Sequence, residues 1–113
     1  MLGMGVSMHS NSHLDISMAA MIHLAATTPN RSYASDTHYI WVDESDSLLT
    51  TGKLPIEGGK MKVPTGPGLG IDIDEEKVSE LHENFKRYAV GARDDTAEMQ
   101  KRDPRWLPLR PRW

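Results

Sequence analysis

The fold is decided by residues 2–41, which read LGMGVSMHSNSHLDISMAAMIHLAATTPNRSYASDTHYIW. Over residues 2–9, large apolar side chains at even positions alternate with Gly, Ser or His at odd positions. A period of two is typical of a β-strand. Small side chains on one face suit the crowded interior of a barrel, and the large ones would pack outward against helices. His9 would then end this strand on the small-residue face.

A helix should follow the strand. Ser12 with Asp15 three residues later resembles a capping box in which Asp replaces the usual Glu or Gln. Apolar side chains then recur at helical spacing along one stripe, which consists of Leu14, Met18, Met21, Ile22 and Ala25. Pro29 and Asn30 predict the end of the helix. Residues 32–41, rich in Tyr, Ile and Trp, predict a second strand with His38 towards its end.

The predicted strand–helix–strand unit brings two histidines to one edge. A connection through a helix makes the two strands parallel, and such crossovers are almost always right-handed. His9 and His38 would therefore both lie near the carboxyl-terminal edge of the sheet. Neighbouring strands are about 4.8 Å apart, so the two imidazoles could share a pocket if the strands are adjacent. In α/β barrels this edge is where active sites are built.

The second half of the chain has a different character. Residues 54–63 predict a β-hairpin that turns at a Gly-Gly pair. A rigid, glycine-rich loop and a short strand are expected over residues 64–74. Asp74 should cap the helix that follows, which has two glutamates in its first turn. A short helix or turn around residues 94–100 should precede an extended tail rich in Pro, Arg and Trp.

The composition excludes several classes of protein. The 113 residues include no cysteine, so disulfides and thiolate metal sites are excluded. A net charge of −3 gives no general reason to expect nucleic acid or an anionic membrane as a partner. The start, MLGMGV, is a poor signal peptide, and no run approaches the roughly 18 apolar residues of a membrane span. A cytoplasmic location is the default expectation.

Four motifs follow one another along the chain: HSNSH at residues 9–13, DTH at 36–38, PTGPGLG at 64–70 and GARDD at 91–95. In content, order and interval they resemble the glucarate dehydratase branch of the enolase superfamily, the mandelate racemase/muconate lactonizing-like group, over essentially the whole chain. The resemblance implies an α/β fold, the C-terminal part of a (β/α)₇β barrel. Residues 1–47 would form the last βαβ of the barrel, and residues 48–113 a return segment with a hairpin and a helix, packed on the barrel and the capping domain.

The resemblance also implies a reaction. Members of this branch bind Mg²⁺ and remove water from an acid sugar such as glucarate: a base takes the proton beside a metal-bound carboxylate, and the enolate expels the β-hydroxyl. His9 matches the catalytic histidine, and Ser10 and Asn11 match substrate contacts that follow it. His38 matches a substrate-contacting histidine. Arg93 matches an arginine that pairs with a substrate carboxylate.

Much of the implied machinery is expected upstream of this chain. The Lys-x-Lys base motif, the three metal ligands and the carboxylate that orients the catalytic histidine all match nothing here. The isolated chain is therefore expected to be inactive and to bind no Mg²⁺, since groups that act as a unit fail as a unit. A truncated gene model or a true fragment would explain this. The alternatives are a non-catalytic fragment that associates with a complementary chain or with itself, and a split enzyme.

Other interpretations of single motifs stay open. His9 and His13 have the spacing of a helical metal pair, but the predicted cap places His9 before the helix. Residues 64–70 could be taken for a phosphate loop, yet they precede a strand and lack its lysine. Arg93 could pair with its acidic neighbours at the surface. The basic–aromatic tail could meet nucleic acid, although packing of Trp106 is favoured.

Overall fold

The computed structural model describes residues 4–11, 13–88, 91 and 94–108. Its contacts divide the chain into two compact units, Met1–Glu83 and Asn84–Trp113. The elements in chain order are β1 (His9–Ser10), α1 (Asp15–Thr27), β2 (Asp36–Thr37), two 3₁₀ turns (Tyr39–Trp41 and Glu44–Asp46), α2 (Glu75–Tyr88) and α3 (Asp95–Gln100). The functional boundary expected between residues 47 and 48 stays a prediction.

β1 and β2 pair in parallel, with His9 opposite Asp36 and Ser10 opposite Thr37. The predicted parallel strand–helix–strand unit is thereby confirmed as a small parallel sheet, while the remainder of a barrel stays a prediction. The faces also alternate as expected, because Val6 and Met8 are half-buried whereas Gly5, Ser7 and His9 are exposed.

The strands are much shorter than the sequence predicts. The Val6 amide donates to the Asn30 carbonyl at 3.1 Å, and the Asp36 amide donates to the Met8 carbonyl at 3.0 Å. Two residues of one segment thus span the same distance as six of the other, so residues 31–35 loop out and no regular ladder forms before His9. β2 ends early because the chain turns after it, with the Trp41 amide donating to the His38 carbonyl at 2.9 Å.

The core lies between α1 and this turn. Met18, Ile22 and Tyr39 are buried together, and the partly buried side chains of Met21, Val42, Leu54 and Met61 pack around them. The helix ends at Thr27, just before the predicted Pro-Asn stop. The apolar stripe read from the sequence is therefore the face of α1 that forms the core.

The predicted capping box is wrong in the role given to Asp15. Leu14 occupies the cap position without a side-chain hydrogen bond, and Ser12 lies outside the described residues. Asp15 is fully buried instead. Its Oδ1 accepts from the Tyr39 hydroxyl, and its Oδ2 accepts from the Leu48 amide at 2.7 Å. A buried carboxylate needs such donors, and here they join α1 to two later segments.

In the return segment of the first unit, the predicted turn and helix cap are present, but the predicted hairpin is reduced to one isolated bridge, and the predicted short strand of residues 71–74 to a single bridge between Leu49 and Ile73. Glu57 and Lys60 exchange backbone hydrogen bonds of 2.9 and 3.0 Å across Gly58 and Gly59, whose φ angles are 56° and 73°. Two successive positive φ angles define the tight hairpin turn that glycine favours. Asp74 accepts from the Lys77 amide at 2.9 Å and so caps α2, as expected.

The glycine-rich loop of residues 64–70 is a structural connection. His23 on α1 donates from Nε2 to the Leu69 carbonyl at 3.1 Å. Gly70 has a φ of 69°, and a Cβ there would lie 2.7 Å from Pro64 Cβ. Only glycine avoids both the steric overlap and the left-handed strain at this position.

In the second unit, Asp94 accepts from the Ala97 amide at 3.0 Å and caps α3. The Gln100 side chain donates to the Trp106 carbonyl at 3.0 Å, which ties the end of this helix to the segment that follows it. Arg93 lies outside the described residues. None of the helices in the described part of the chain has the length and apolar character needed to cross a membrane.

Candidate functional site

The carboxyl ends of β1 and β2 bring together His9, Asp36, Asn11 and His38. Because the strands are parallel and in register, His9 lies directly opposite Asp36. His9 Nδ1 donates to Asp36 Oδ2 at 2.7 Å, while His9 Nε2 lies 3.2 Å from Asn11 Oδ1. The His9 and Asp36 side chains are 59% and 67% exposed.

Asp36 is the residue that the sequence reasoning missed. The structure places its carboxylate on Nδ1 of His9. The prediction that the carboxylate which orients the catalytic histidine lies upstream of this chain stays a prediction. The signal was present in the two motifs, because HS and DT both lie at the ends of parallel strands. Only the register, which sequence periodicity does not reveal, shows that the first residue of each pair faces the other.

The surroundings of His9 favour its protonated form. The hydrogen bond to Asp36 raises the pKa of His9 above its ordinary 6.5, the negative charge of Asp36 acts in the same direction, and the Asn11 contact adds to both. A raised pKa makes the neutral imidazole a stronger base. The same carboxylate then stabilises the imidazolium that forms when the ring accepts a proton.

His38 lies beside His9 at the same edge. The two ring centroids are 6.2 Å apart and the rings are nearly perpendicular. On its other side, His38 meets the Trp41 ring at a centroid distance of 4.7 Å. The 3₁₀ turn after β2 thus places Trp41 against His38 and limits the orientations of that imidazole.

Ser10 differs from its neighbours. The residue is only 8% exposed, and its hydroxyl donates to Thr37 Oγ1 at 2.8 Å. The expected substrate contacts therefore divide into two groups: His9 contacts Asn11 and lies beside His38, whereas the Ser10 hydroxyl is engaged by Thr37. Arg93 lies outside the described residues.

Among the described residues, no three His, Asp or Glu side chains gather in an arrangement that could hold a metal ion. Mg²⁺ prefers an octahedron of oxygen ligands, and Asp36 is committed to an imidazole. His9 and His13 have the spacing of a helical metal pair, but they face different partners: His9 contacts Asp36, and His13 contacts Thr37.

A family model described as "Enolase C-terminal domain-like" matches residues 1–77. The chain belongs to this family. The match includes both strands, α1, the return hairpin and the start of α2, so it covers His9, Asp36 and His38 but not Arg93.

Two curated relatives are similar to this chain but carry different enzyme names. A protein of Streptomyces coelicolor described as "probable glucarate dehydratase" is 46% identical over 114 residues, which cover 98% of this chain and 26% of that protein. A chloromuconate cycloisomerase of Pseudomonas putida is 36% identical over 76 residues, which cover 66% of this chain and 20% of that protein. Since the two names denote different enzymes, family membership alone leaves the reaction open.

Two solved structures contain a region whose fold is similar to that of this chain. An enolase of Pseudomonas fluorescens, crystallised with magnesium, potassium and tartrate, matches at 46% identity with a TM-score of 0.81 over 98% of this chain and 26% of that one. An enolase of Gibberella zeae, with magnesium, formate and sulfate, matches at 44% identity with a TM-score of 0.80 and the same coverage. The chain thus spans about a quarter of the length of the relatives that it matches.

Proposed function

We propose that this chain is the C-terminal part of a Mg²⁺-dependent acid-sugar dehydratase that acts on glucarate or a close relative. The observation that carries the proposal is the His9–Asp36 pair beside His38 at the carboxyl edge of two parallel strands. The 46% identity to a "probable glucarate dehydratase" over nearly the whole chain supports the same class of substrate.

In this proposal His9 moves the proton. The neutral imidazole accepts it at Nε2 from the carbon next to the substrate carboxylate, and Asn11 is the polar neighbour of that nitrogen. Asp36 holds Nδ1 and compensates the charge that the ring acquires. His38, held against Trp41, donates a hydrogen bond to a substrate oxygen, and Arg93 pairs with the distal carboxylate.

In this proposal the ligands of the Mg²⁺ ion lie outside this chain, in the part of the longer relatives that this chain does not cover. The isolated chain would then supply a proton-transfer group and part of the substrate pocket without turnover.

The test joins this chain to a scaffold. A chimera would carry the Streptomyces coelicolor relative with its C-terminal quarter replaced by these 113 residues. With Mg²⁺ and glucarate, formation of the α-keto acid product is the expected result. His9→Asn should lower kcat by roughly 10²–10⁴-fold, the usual contribution of a positioned acid–base group. His82→Asn, an exposed histidine on α2, is the matched control and should leave kcat unchanged.

Two results would contradict the proposal. A folded chimera that fails on glucarate and related acid sugars would exclude the substrate class. A His9→Asn chimera with full activity would remove His9 from the reaction even if the substrate class holds.

A second candidate, a non-catalytic protein that associates with a complementary chain, is favoured by apolar surface next to the site. Ile40 is 57% exposed and Trp41 is 73% exposed. Large exposed side chains of this kind mark surfaces that bind other proteins. Sedimentation of the isolated chain with and without the first three-quarters of the Streptomyces relative would show a heterodimer in this case and two separate species otherwise.

A further inference from the structure

Below the two site histidines, the Thr37 hydroxyl is surrounded by three polar neighbours. The Ser10 hydroxyl donates to Thr37 Oγ1 at 2.8 Å, and the Tyr39 amide donates to it at 3.0 Å. His13 Nε2 lies 3.3 Å from the same oxygen. A hydroxyl has one hydrogen to donate and two lone pairs to accept with. Both lone pairs of Thr37 are therefore used by Ser10 and Tyr39.

Since both lone pairs of the Thr37 hydroxyl are used, its own hydrogen must be donated to another neighbour. The Thr37 hydrogen has two possible acceptors, His13 Nε2 at 3.3 Å and the Met18 sulfur at 3.9 Å. The imidazole nitrogen is both nearer and the stronger acceptor. With this direction of donation, His13 Nε2 accepts and carries no proton, so its ring would be neutral and protonated on Nδ1 alone. Burial lowers the pKa of His13, and the facing His38 lowers it further, which agrees with a neutral ring.

The hydrogen bonds of Ser10, Thr37 and His13 lie where they can hold the ends of β1 and β2 together. The backbone ladder between β1 and β2 contains two residue pairs, His9 with Asp36 and Ser10 with Thr37. Two pairs make a weak ladder by themselves. The Ser10–Thr37 side-chain bond joins the same strands one residue after His9 and one residue before His38.

We propose that Ser10, Thr37 and His13 form a positioning chain that holds His9 and His38 at their separation, with Ser10 acting through Thr37 rather than by touching substrate. The proposal rests on the proposed function in that His9 and His38 are taken to meet the substrate. Its structural content, the Nδ1–H form of a neutral His13 and the clamped strand ends, is independent of any activity.

The experiment measures the histidine rings directly in the full 113-residue chain. With ¹⁵N-labelled histidine at pH 7, long-range ¹H–¹⁵N correlation spectra distinguish Nδ1–H from Nε2–H rings. The expected result is a single Nδ1–H form for His13. Thr37→Ser retains the hydroxyl and should retain this form. Thr37→Val removes the hydroxyl at nearly constant shape and should shift His13 towards the Nε2–H form that free imidazoles in water favour.

A second variant covers the possibility that Thr37→Val does not fold. Ser10→Ala leaves Thr37 able to donate to His13, so the His13 form should persist while the NOE between the His9 and His38 rings is lost. An Nε2–H or charged His13 in the unsubstituted chain overturns the proposal. An unfolded chain would give the same His13 forms and would overturn it as well. An unchanged His9–His38 NOE in Ser10→Ala does the same.

The chimera separates this proposal from the proposed function. Thr37→Val should lower kcat with little change in KM, and Thr37→Ser should restore kcat, as expected for a residue that positions others. A chimera without any activity would contradict the proposed function and leave the ring measurements standing. An active chimera in which Thr37→Val matches the parent would contradict the positioning chain alone.

Discussion

Removing the Tyr39 hydroxyl should destabilise the first unit severely. Tyr39 is fully buried, and its hydroxyl takes part in two hydrogen bonds. It donates to Asp15 Oδ1 and accepts from the Leu54 amide at 2.9 Å. Tyr39→Phe keeps the ring in the core and deletes both bonds. The change therefore isolates the polar contribution from the packing contribution.

The magnitude follows from what is left behind. A hydrogen bond to a carboxylate contributes about 1.5–3 kcal/mol and a neutral one about 0.5–1.5 kcal/mol, so Tyr39→Phe should cost about 2–4 kcal/mol. Against a total stability of about 5–15 kcal/mol for a native domain, this is a large fraction. For a unit of this size the melting temperature should fall by about 8–32 °C.

Urea and thermal unfolding, followed by circular dichroism, would measure the change. Tyr33→Phe is the matched control, because Tyr33 is 66% exposed and loses the same single oxygen. Its stability should stay within about 0.5 kcal/mol of the parent, as surface substitutions usually do. The reasoning is refuted if Tyr39→Phe is no less stable than Tyr33→Phe.

Three further predictions concern the site, the loop and a helix cap. Asp36→Asn should lower the pKa of His9 in an NMR titration, and an unchanged His9 titration would count against the pair. Because the pKa of His9 is raised in the folded chain, the pair stabilises the fold fully below pH about 6.5, and this stabilisation is lost as pH rises through the folded-state pKa. Gly70→Ala should cost more than the roughly 1–2 kcal/mol of left-handed strain expected for Gly68→Ala, because only the Gly70 Cβ meets other atoms, and equal melting temperatures would disprove this. Asp74→Ala should cost about 1 kcal/mol in urea unfolding through loss of the α2 cap, and Asp74→Ser should recover most of it.

Local signals account for what could be predicted from the sequence. The stripe of α1, the Gly-Gly turn and the Asp74 cap depend on residues within a few positions of one another, and the structure confirms all three. Strand lengths were not predictable, because they depend on the mismatch that lets residues 31–35 loop out. The parallel pairing was predictable from the helical crossover, but its register was not.

Polar residues with distant partners explain the remaining differences. Asp15 has the spacing of a capping residue, and nothing near it in sequence shows that Tyr39 and Leu48 will bury it. Asp36 belongs to a recognised motif, yet its contact with His9 spans 27 positions. Sequence patterns locate such side chains on an edge or a face, whereas their partners follow only from the folded backbone.

The Asp15 contacts also have a consequence for the order of events during synthesis. The Leu48 amide lies 33 positions after Asp15, and the Tyr39 hydroxyl that binds Asp15 also needs the Leu54 amide. At roughly 5–20 residues per second, the ribosome takes several seconds to add that stretch. During this interval a nascent α1 carries a carboxylate whose partners do not yet exist. Completion of the helix–turn core must therefore wait until the return segment, with the Leu48 and Leu54 amides, has emerged.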